Sequence, residues 1–363
     1  MATHETSSAK QARTAKTGTL LEVKNLCTAF YVKEGEVKAV NDISFSLDHG
    51  KILGIVGESG SGKSVTAYSI MQLLTPPGKV IGGEIIFDGQ NLLSLSESEM
   101  RKIRGDKISM IFQDPMTSLN PVFTIGSQIM EAILLHSDRS KEEAKKRTVE
   151  LLSLVGMNEP ERRFKQYPYE FSGGMRQRAM IAMALACEPD LLIADEPTTA
   201  LDVTIQAQIL DLMRDLQKKI GMAIIMITHD LGVIAQICDE IIVMYGGHIL
   251  ESGNPDDIFY HPANQYTEGL LNSIPKVTRV ESLSPIPGTP IDLLNMHPGC
   301  PFVSRCQEAL NICIKAMPPK LRLEDTHTAY CWKAIEHCLA GENPEDDRDP
   351  LVMGSETKED QHA

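Results

Sequence analysis

The chain has 363 residues, enough for roughly two domains of ordinary size, and its 42% hydrophobic and 23% charged residues are typical of globular proteins. This composition excludes collagen-like, coiled-coil and disordered chains, and the longest uninterrupted apolar run, 179–187, is far shorter than the roughly 20 residues of a membrane-spanning helix. The net charge of −14 argues against nucleic acid as the main partner, because sequence-independent binding to phosphates needs basic surfaces.

Both ends of the chain are predicted to be disordered. Residues 1–18 are small and polar and lack the apolar centre of a secretory signal, which predicts a disordered leader. Residues 339–363 carry eight acidic and two basic side chains, which predicts an acidic tail. Since no export signal is present, the eight cysteines are expected in a reducing compartment, where thiols bind metal or stay free more often than they pair.

The first elements predict a small antiparallel sheet followed by a strand, a loop and a helix. Apolar and polar residues alternate at 20–26 and 40–47, as in half-buried strands. Residues 51–56 form a short buried strand, which leads into a glycine-rich loop and an apolar helix over 64–74. A Pro-Pro-Gly sequence at 76–78 ends that helix.

The middle of the chain predicts a helical insert and then an α/β alternation. Ser140 and Glu143 form a capping box within a subdomain expected at about 117–172, where apolar residues keep one helical face. Helices are predicted over 174–187, 203–219 and 231–237, and strands over 108–112, 191–194, 223–227 and 241–245. This alternation is typical of a parallel sheet covered by helices. Beyond about 254, strand patterns disappear and four cysteines follow between 300 and 331.

A glycine-rich loop carries the strongest motif. It consists of Gly57, Glu58, Ser59, Gly60, Ser61, Gly62, Lys63 and Ser64, and it fits the pattern G-x-x-x-x-G-K-[ST] with the required strand before it and helix after it. In this arrangement backbone N–H groups point at phosphate oxygens, Lys63 reaches the β- and γ-phosphates, and Ser64 ligates Mg²⁺. We call residues 57–64 the phosphate loop.

Two further segments carry anion or metal chemistry. Asp195 and Glu196 end a buried strand, and ligands of open α/β sheets bind at the carboxyl ends of strands, so Asp195 is expected near Mg²⁺ and Glu196 near the attacking water. Residues 171–177, which we call the signature, precede an apolar helix and offer a second set of free N–H groups for an anion. A single ATP site has no use for two such anion sites from one chain.

The order of these features resembles that of ABC-type ATPases over roughly 20–260. The matching features are the phosphate loop, Gln113 after its strand, Ser172-Gly173-Gly174 of the signature, Asp195-Glu196, Ala200-Leu201-Asp202, and His229 after its strand. In that family the signature of one subunit closes over ATP held by another, which explains the second anion site. Phe171 and Met175 replace the more usual Leu and Gln, and function is expected to survive because the three phosphate-facing residues are intact.

The resemblance also implies individual roles. His229 would contact the γ-phosphate and orient Glu196 and water, and Gln113 would contact Mg²⁺ or water and report the nucleotide state to the membrane partner. The resemblance extends the nucleotide contacts to Val65 and Asp202. Phe30, with Tyr31 as the alternative, stands where this family places an aromatic ring against adenine.

The sequence further resembles one branch of the family, the ATPase subunits of bacterial oligopeptide and dipeptide importers. Residues 109–121, 170–184 and the Tyr-Thr-x-Gly-Leu-Leu stretch at 266–271 carry this likeness, although Asn264-Gln265 stands where His-Pro is more usual. It implies a nucleotide-binding domain over 19–260 and a C-terminal domain over 261–338. It also implies two membrane permease subunits, a paralogous ATPase or a second copy, an extracellular or periplasmic substrate-binding protein, and a peripheral place at the cytoplasmic face of the bacterial inner membrane.

Three alternatives stay open on sequence grounds. The same ATPase could import nickel or another small solute, since nickel-importing relatives share the long C-terminal extension. A soluble ABC-type ATPase acting on DNA normally carries a long coiled coil, whereas only 107 residues separate Ser64 from Ser172 here, without sustained heptads. A non-enzymatic metal-binding scaffold would require Glu196 to be dispensable.

Four cysteines predict a metal centre in the C-terminal domain. Cys300, Cys306, Cys313 and Cys331 lie in a stretch that is poor in apolar residues, where a small domain needs a covalent or metal staple. Thiolate ligands suit both Zn²⁺ and an iron–sulfur cluster, and the spacing does not separate them. The resemblance to peptide-importer ATPases implies a [4Fe-4S] cluster, with Cys338 as a possible substitute ligand. This centre is expected to be structural and remote from the phosphates.

Overall fold

The computed structural model describes residues 17–114, 118–198, 202–274 and 285–339. The predicted leader up to residue 16 and the acidic tail from residue 340 lie outside the described residues. So do 115–117, within the importer-like segment, and Ala200-Leu201, within the motif that ends at Asp202.

Strands and helices alternate along most of the described chain. The strands are β1 (Thr19–Val32), β2 (Gly35–Asp48), β3 (Ile52–Val56), β4 (Gly78–Phe87), β5 (Gln90–Asn91), β6 (Ile108–Ile111), β7 (Leu191–Asp195), β8 (Ala223–Thr228), β9 (Glu240–Tyr245), β10 (His248–Gly253), β11 (Leu321–Arg322) and β12 (Thr328–Ala329). The helices are α1 (Lys63–Ile70), α2 (Glu97–Ile103), α3 (Ile125–His136), α4 (Lys141–Leu154), α5 (Pro160–Phe164), α6 (Gly173–Ala184), α7 (Val203–Ile220), α8 (Leu231–Ile237), α9 (Pro255–Tyr260), α10 (Gln265–Asn272) and α11 (Trp332–Leu339).

An antiparallel sheet in the order β2-β1-β4-β5 forms from the first elements, as the sequence predicts. The two first strands are longer than predicted, because they continue to a tight turn between Val32 and Gly35. β4 was not predicted, since its glycine-rich sequence lacks a clear alternation. Helix α1 is shorter than the predicted 64–74, because Gln72 takes a left-handed backbone conformation (φ 49°).

The central sheet has the order β11-β12-β10-β9-β3-β8-β7-β6 and contains the predicted parallel strands. β9, β3, β8, β7 and β6 run parallel, and every residue of β3, β7 and β8 is buried. Such strands have helices or other layers on both faces, which is why their sequences are continuous apolar runs. Their carboxyl ends lie at one edge of the sheet, so the loops that follow β3, β6, β7 and β8 meet there.

The helical subdomain follows the capping and periodicity signals. The Ser140 hydroxyl accepts from the Glu143 N–H and the Glu143 carboxylate accepts from the Ser140 N–H, which is the predicted capping box. The apolar residues Ala144, Leu151 and Leu152 of α4 are buried in the main core. Helix α4 packs on α3 and α5, which fixes the subdomain beside the sheet.

The C-terminal region does not stand apart from the nucleotide-binding fold. Strands β10, β12 and β11 extend the central sheet beyond β9. Tyr266 and Phe302 are buried in the same core as Tyr245 of β9, with ring centroids 4.7–5.4 Å apart. The sequence predicts that this region has no large core of its own, and its aromatic side chains indeed pack into the core of the central sheet. This shared core stabilises the region without a staple.

Candidate functional site

The phosphate loop is shaped by glycines that no other residue could replace. Gly57 (φ 149°) and Gly62 (φ 101°) have positive φ angles, which side-chain-bearing residues rarely adopt. A Cβ at Gly57 would lie 2.1 Å from the carbonyl oxygen of Met244, and a Cβ at Gly62 would lie 2.4 Å from that of Ala39. The loop therefore follows β3 directly and enters α1 at Lys63, with the N–H groups of the first helical turn free for an anion.

Lys63 is buried beneath this loop. Its ammonium donates to the carbonyl oxygens of Gly57 (2.7 Å) and Glu58 (2.8 Å) and to the Ser61 hydroxyl (3.3 Å). Burial lowers the pKa of Lys63, and the nearby carboxylates of Glu196 and Asp195 oppose that effect. A positive charge is thus held at the centre of the loop, where a phosphate would meet it.

Asp195 and Ser64 form the geometry expected of a magnesium site. The Ser64 hydroxyl donates to Asp195 Oδ1 at 2.9 Å. Asp195 Oδ2 is buried and has no hydrogen-bond partner among the described residues. Burial raises the pKa of Asp195, as expected for a carboxylate that lacks its counterion. An oxygen-rich, partly unsatisfied pair at a strand end fits Mg²⁺.

Glu196 is held from two sides at the edge of the sheet. The Gln113 side-chain amide donates to Glu196 Oε2 at 3.0 Å, and His229 Nδ1 lies 3.3 Å from Glu196 Oε1. Glu196 itself has φ 47°, a left-handed conformation that costs of order 1–3 kcal/mol in a residue with a side chain. The structure therefore brings together Gln113, Glu196 and His229, which the sequence only placed at the ends of three separate strands.

The signature presents its N–H groups to the surface. Ser172 is exposed and caps α6, its hydroxyl accepting from the Met175 N–H at 3.4 Å. Phe171 is buried in the main core, so the replacement of Leu by Phe serves packing rather than phosphate contact. Gly174 lies against Ile205, where a Cβ would approach to 2.9 Å. Asp202 caps α7 by accepting from the Ile205 N–H at 2.9 Å.

The remaining nucleotide residues occupy the antiparallel sheet and α1. Phe30 is half-buried with its ring over Gly78, whereas the neighbouring Tyr31 is 49% exposed. Consecutive strand residues point to opposite faces, so only one of these two rings can face an adenine. Val65 is half-buried and packs on the core of the antiparallel sheet. The adenine contact of Phe30 and the nucleotide contact of Val65 stay predictions.

The four cysteines lie near one another, but the structure does not support a metal centre. None of the eight cysteines forms a disulfide. Burial raises the pKa of Cys300 to about 12 and that of Cys306 to about 11, with smaller effects from the neighbouring thiols of Cys313 and Cys331. Among the residues that the structure describes, no group of three or more His, Cys, Asp or Glu side chains is arranged to hold a metal ion. Cys338 is exposed on α11.

Two contacts between the C-terminal region and the phosphate loop were not predicted from the sequence. The Tyr266 hydroxyl accepts from the Glu58 N–H at 2.8 Å, and the Arg305 guanidinium binds the Glu58 carboxylate. Arg305 precedes Cys306, so one residue of the cysteine-bearing region contacts the phosphate loop, while the remoteness of the four thiols from the phosphates stays a prediction. No local motif could have revealed this contact, because 247 residues separate the two partners.

Two family models match this chain. Residues 40–199 match the model "ABC transporter", and residues 250–313 match "Oligopeptide/dipeptide transporter, C-terminal region". The second match lies in the region whose strands extend the central sheet.

Curated relatives match over most of their length. The oligopeptide transport ATP-binding protein OppD of Bacillus subtilis is 57% identical over 86% of this chain and 88% of its own length. The dipeptide transport ATP-binding protein DppD of the same organism is 52% identical over 90% and 99%. OppD of Escherichia coli is 53% identical over 88% and 95%.

A solved structure supports the same fold. The ATP-binding cassette MJ0796, a dimer bound to ADP and Pi in a post-hydrolysis state, has a TM-score of 0.60 and 30% identity over 65% of this chain and 99% of its own. The predicted α/β fold of an ABC-type P-loop nucleotide-binding domain, with its antiparallel β subdomain and helical insert, is confirmed. In the described part of the chain, no helix is both long and apolar enough to cross a bilayer. The chain is an ABC-type ATPase and belongs to the family of oligopeptide and dipeptide transport ATP-binding proteins.

Proposed function

We propose that this chain couples ATP binding and hydrolysis to the import of oligopeptides or dipeptides through separate permease subunits. The observation that carries the proposal is Glu196, held between Gln113 and His229 beside the phosphate loop, in a chain whose relatives are named peptide transport ATP-binding proteins. A carboxylate in that position suits a general base for water attacking the γ-phosphate.

Each residue has a distinct proposed role. Lys63 neutralises the β- and γ-phosphates, and the N–H groups at the start of α1, from Gly62 to Ser64, bind their oxygens. Ser64, Asp195 and Gln113 would hold Mg²⁺, which would supply positive charge against the charge of the phosphates. His229 orients Glu196, since its ring nitrogen already approaches the carboxylate.

The signature is proposed to act on the ATP of a second ATPase subunit. Its support is the exposure of Ser172 and Gly173 at the start of α6, together with the dimeric, nucleotide-bound state of the related cassette MJ0796. The second subunit is a paralogous ATPase or another copy of this chain, and its closure over ATP would drive motion in two permease subunits. This chain would then sit at the cytoplasmic face of the cell membrane, with a substrate-binding protein on the opposite side.

Uptake of peptides by the assembled transporter tests the proposal. The complex is purified from membranes with its binding protein, and the ligand on that protein is identified by mass spectrometry. A peptide ligand whose uptake stops with a Glu196→Gln chain supports the function. A bound nickel ion or a non-peptide solute, with peptide uptake absent, would overturn the cargo assignment.

We also propose, as the finer assignment for the C-terminal region, that Cys300, Cys306, Cys313 and Cys331 hold a [4Fe-4S] cluster, with Zn²⁺ as the alternative. Its support is the resemblance to peptide-importer ATPases, together with the closeness of the Cys300 thiol to those of Cys306, Cys313 and Cys331, each of which adds to the effect of burial in raising its pKa. Anaerobic purification followed by iron, sulfide and zinc analysis tests it. Stoichiometric zinc without iron would identify the site as a zinc site in place of a cluster. If neither metal is found, the cysteines are free thiols and the proposal is wrong.

A further inference from the structure

We infer that Arg305 and Tyr266 of the C-terminal region are positioning residues for the phosphate loop, and that Arg305 cancels the charge of Glu58 beside the bound triphosphate. This inference rests on the proposed role of residues 57–64 in phosphate binding. It assigns to the C-terminal region a direct part in nucleotide affinity.

The ion pair between Arg305 and Glu58 has two-pronged geometry. Arg305 Nη2 lies 3.0 Å from Glu58 Oε1, and Arg305 Nη1 donates to Glu58 Oε2. The Arg305 side chain is 3% exposed and that of Glu58 is 27% exposed, so solvent screens the pair less than it screens a surface salt bridge. A bidentate guanidinium–carboxylate pair is both strong and directional.

The guanidinium of Arg305 is fixed before any nucleotide arrives. Its Nε donates to the carbonyl oxygen of Pro287 (2.8 Å), Nη2 also donates to that of Ile286 (3.3 Å), and Nη1 also donates to the Tyr245 hydroxyl (3.3 Å). Together with the two bonds to Glu58, these contacts use all five N–H donors of the side chain. The Arg305 side chain therefore loses no further conformational entropy when a nucleotide binds to the phosphate loop.

Glu58 is held through its backbone as well. Its N–H donates to the Tyr266 hydroxyl at 2.8 Å, and its carbonyl oxygen accepts from Lys63 Nζ at 2.8 Å. Tyr266 is fully buried between Tyr245 and Phe302, so its hydroxyl is a rigid acceptor. Glu58 is thus bound at its side chain, its N–H and its carbonyl group. The C-terminal region supplies the partners of the side chain and of the N–H.

Charge explains why this contact matters for binding. Glu58 places a carboxylate in a loop that must receive a triphosphate, and two like charges about 10 Å apart at a protein surface repel enough to weaken binding about tenfold. Arg305 removes that repulsion. The competing explanation is purely structural: Arg305 would only attach the C-terminal region to the sheet. The charge effect should depend on the number of phosphate charges and on the Glu58 carboxylate, whereas the structural effect should depend on neither.

Nucleotide titration of the full-length chain tests the inference. Mg²⁺ with fluorescent ATP or ADP is titrated into the parent, Arg305→Met, Arg305→Lys, Glu58→Gln and the Arg305→Met/Glu58→Gln double variant, at two salt concentrations. Methionine keeps much of the apolar length of arginine without its charge. Arg322→Ala is the matched control, since Arg322 is an exposed arginine of the same region that pairs with Asp325.

Arg305→Met is expected to weaken ATP binding about tenfold and ADP binding less, and high salt should reduce the loss. Adding Glu58→Gln should restore affinity to within about threefold of the parent, because the pair then again carries no net charge. The affinity of Arg305→Lys should lie between that of the parent and that of Arg305→Met. Tyr266→Phe should weaken binding of both nucleotides by a few fold through the lost acceptor. Arg322→Ala should bind as the parent does.

Two results overturn the inference. One is a loss that is equal for ATP and ADP and is not restored by Glu58→Gln, and the other is unchanged ATP affinity in Arg305→Met. If Arg305→Met does not fold, Arg305→Lys and Glu58→Gln are measured at both salt concentrations in its place. ATP affinities equal to that of the parent in both variants would then overturn the inference. Lys63→Ala in the same assay separates the two proposals, because ATP binding that survives Lys63→Ala would refute the phosphate-loop assignment itself.

Discussion

At the scale of single residues, the site combines a strained backbone at Glu196 with two neighbouring carboxylates, those of Asp195 and Glu196, that have different surroundings. Glu196 takes a left-handed conformation and is held by Gln113 and His229, while Asp195, one residue earlier, is fully buried with an unpartnered Oδ2. The two carboxylates have different partners, since Asp195 accepts from Ser64 and Glu196 accepts from Gln113. One can then contact a metal ion and the other a water molecule, which is the division of labour that phosphoryl transfer needs.

Glu196→Gln tests the role of the base. We expect this variant to bind ATP with near-parent affinity and to lose multiple turnover by a factor of about 10²–10⁴, because the amide keeps the volume but accepts no proton. Nucleotide titration and steady-state phosphate release from the assembled complex measure the two quantities. Near-parent turnover would remove Glu196 from the mechanism.

Lys63→Ala tests the role of the buried ammonium. Lys63 now donates to Gly57 and Glu58 carbonyl oxygens, so the substitution removes a charge from the phosphate site and leaves those acceptors without a donor. We expect ATP affinity to fall at least tenfold, while thermal unfolding shows that the chain is folded. Affinity equal to that of the parent would contradict this expectation.

Residue identities were the most predictable part of the site, for a physical reason. Phosphate binding demands glycines at positive φ next to a lysine, and these leave a local sequence pattern around Gly57 and Gly62. Contacts that depend on tertiary packing leave none, so neither the Arg305–Glu58 pair nor the Glu196 conformation was predicted. The roles assigned to Phe30 and Val65 rest on the family pattern and stay predictions.

At the scale of elements, a hydrogen bond joins the two sheets. His248 at the start of β10 lies 3.1 Å, through Nε2, from the side-chain amide of Asn41 in β2. Burial lowers the pKa of His248 to about 4, against a weaker opposing effect of Asp42. Neutral Nε2 can accept from the Asn41 amide, whereas a protonated ring would set two donors against each other.

This buried imidazole predicts a pH dependence of stability. The folded pKa lies below the unfolded value of about 6.5, so the unfolded chain binds the proton first and stability falls as the pH drops from about 6.5 towards 4. Between pH 7.5 and pH 5 the loss from His248 should be about 1–2 kcal/mol. Urea unfolding of the parent and of His248→Gln at both pH values measures it, and an equal pH effect in the two proteins would exclude His248 as the source.

Helices and strands with a clear pattern of apolar residues in the sequence were predicted well, and those without such a pattern were not. The buried runs of β7 and β8 were predicted close to their bounds. For α4, the capping box and the apolar face were predicted correctly, without bounds for the helix. β4 and α2 were missed, and the strands of the C-terminal region were missed because β11 and β12 have two residues each. Such short strands exist only because a preformed sheet edge at β10 accepts them, which is a tertiary effect.

At the scale of the whole molecule, the two anion-binding segments have different surroundings. The phosphate loop is anchored within its own chain, since Glu58 contacts the C-terminal region and Lys63 is buried, while Ser59 and Gly60 are exposed. Ser172 and Gly173, at the start of α6, are exposed. An anchored phosphate loop and an exposed signature suit the proposed dimer, in which the signature of one subunit acts on the ATP of the other.

Ser172→Asp tests whether the signature acts on a neighbour. Aspartate caps a helix about as well as serine, so α6 should keep its start, but the new carboxylate would face the phosphates of the other subunit. We expect the isolated chain to bind ATP within about twofold of the parent, and the assembled transporter to lose ATP turnover at least tenfold. Ser172→Asn, which caps the helix without charge, should lose much less. Weaker ATP binding by the isolated Ser172→Asp chain would mean that the signature contacts ATP in its own subunit.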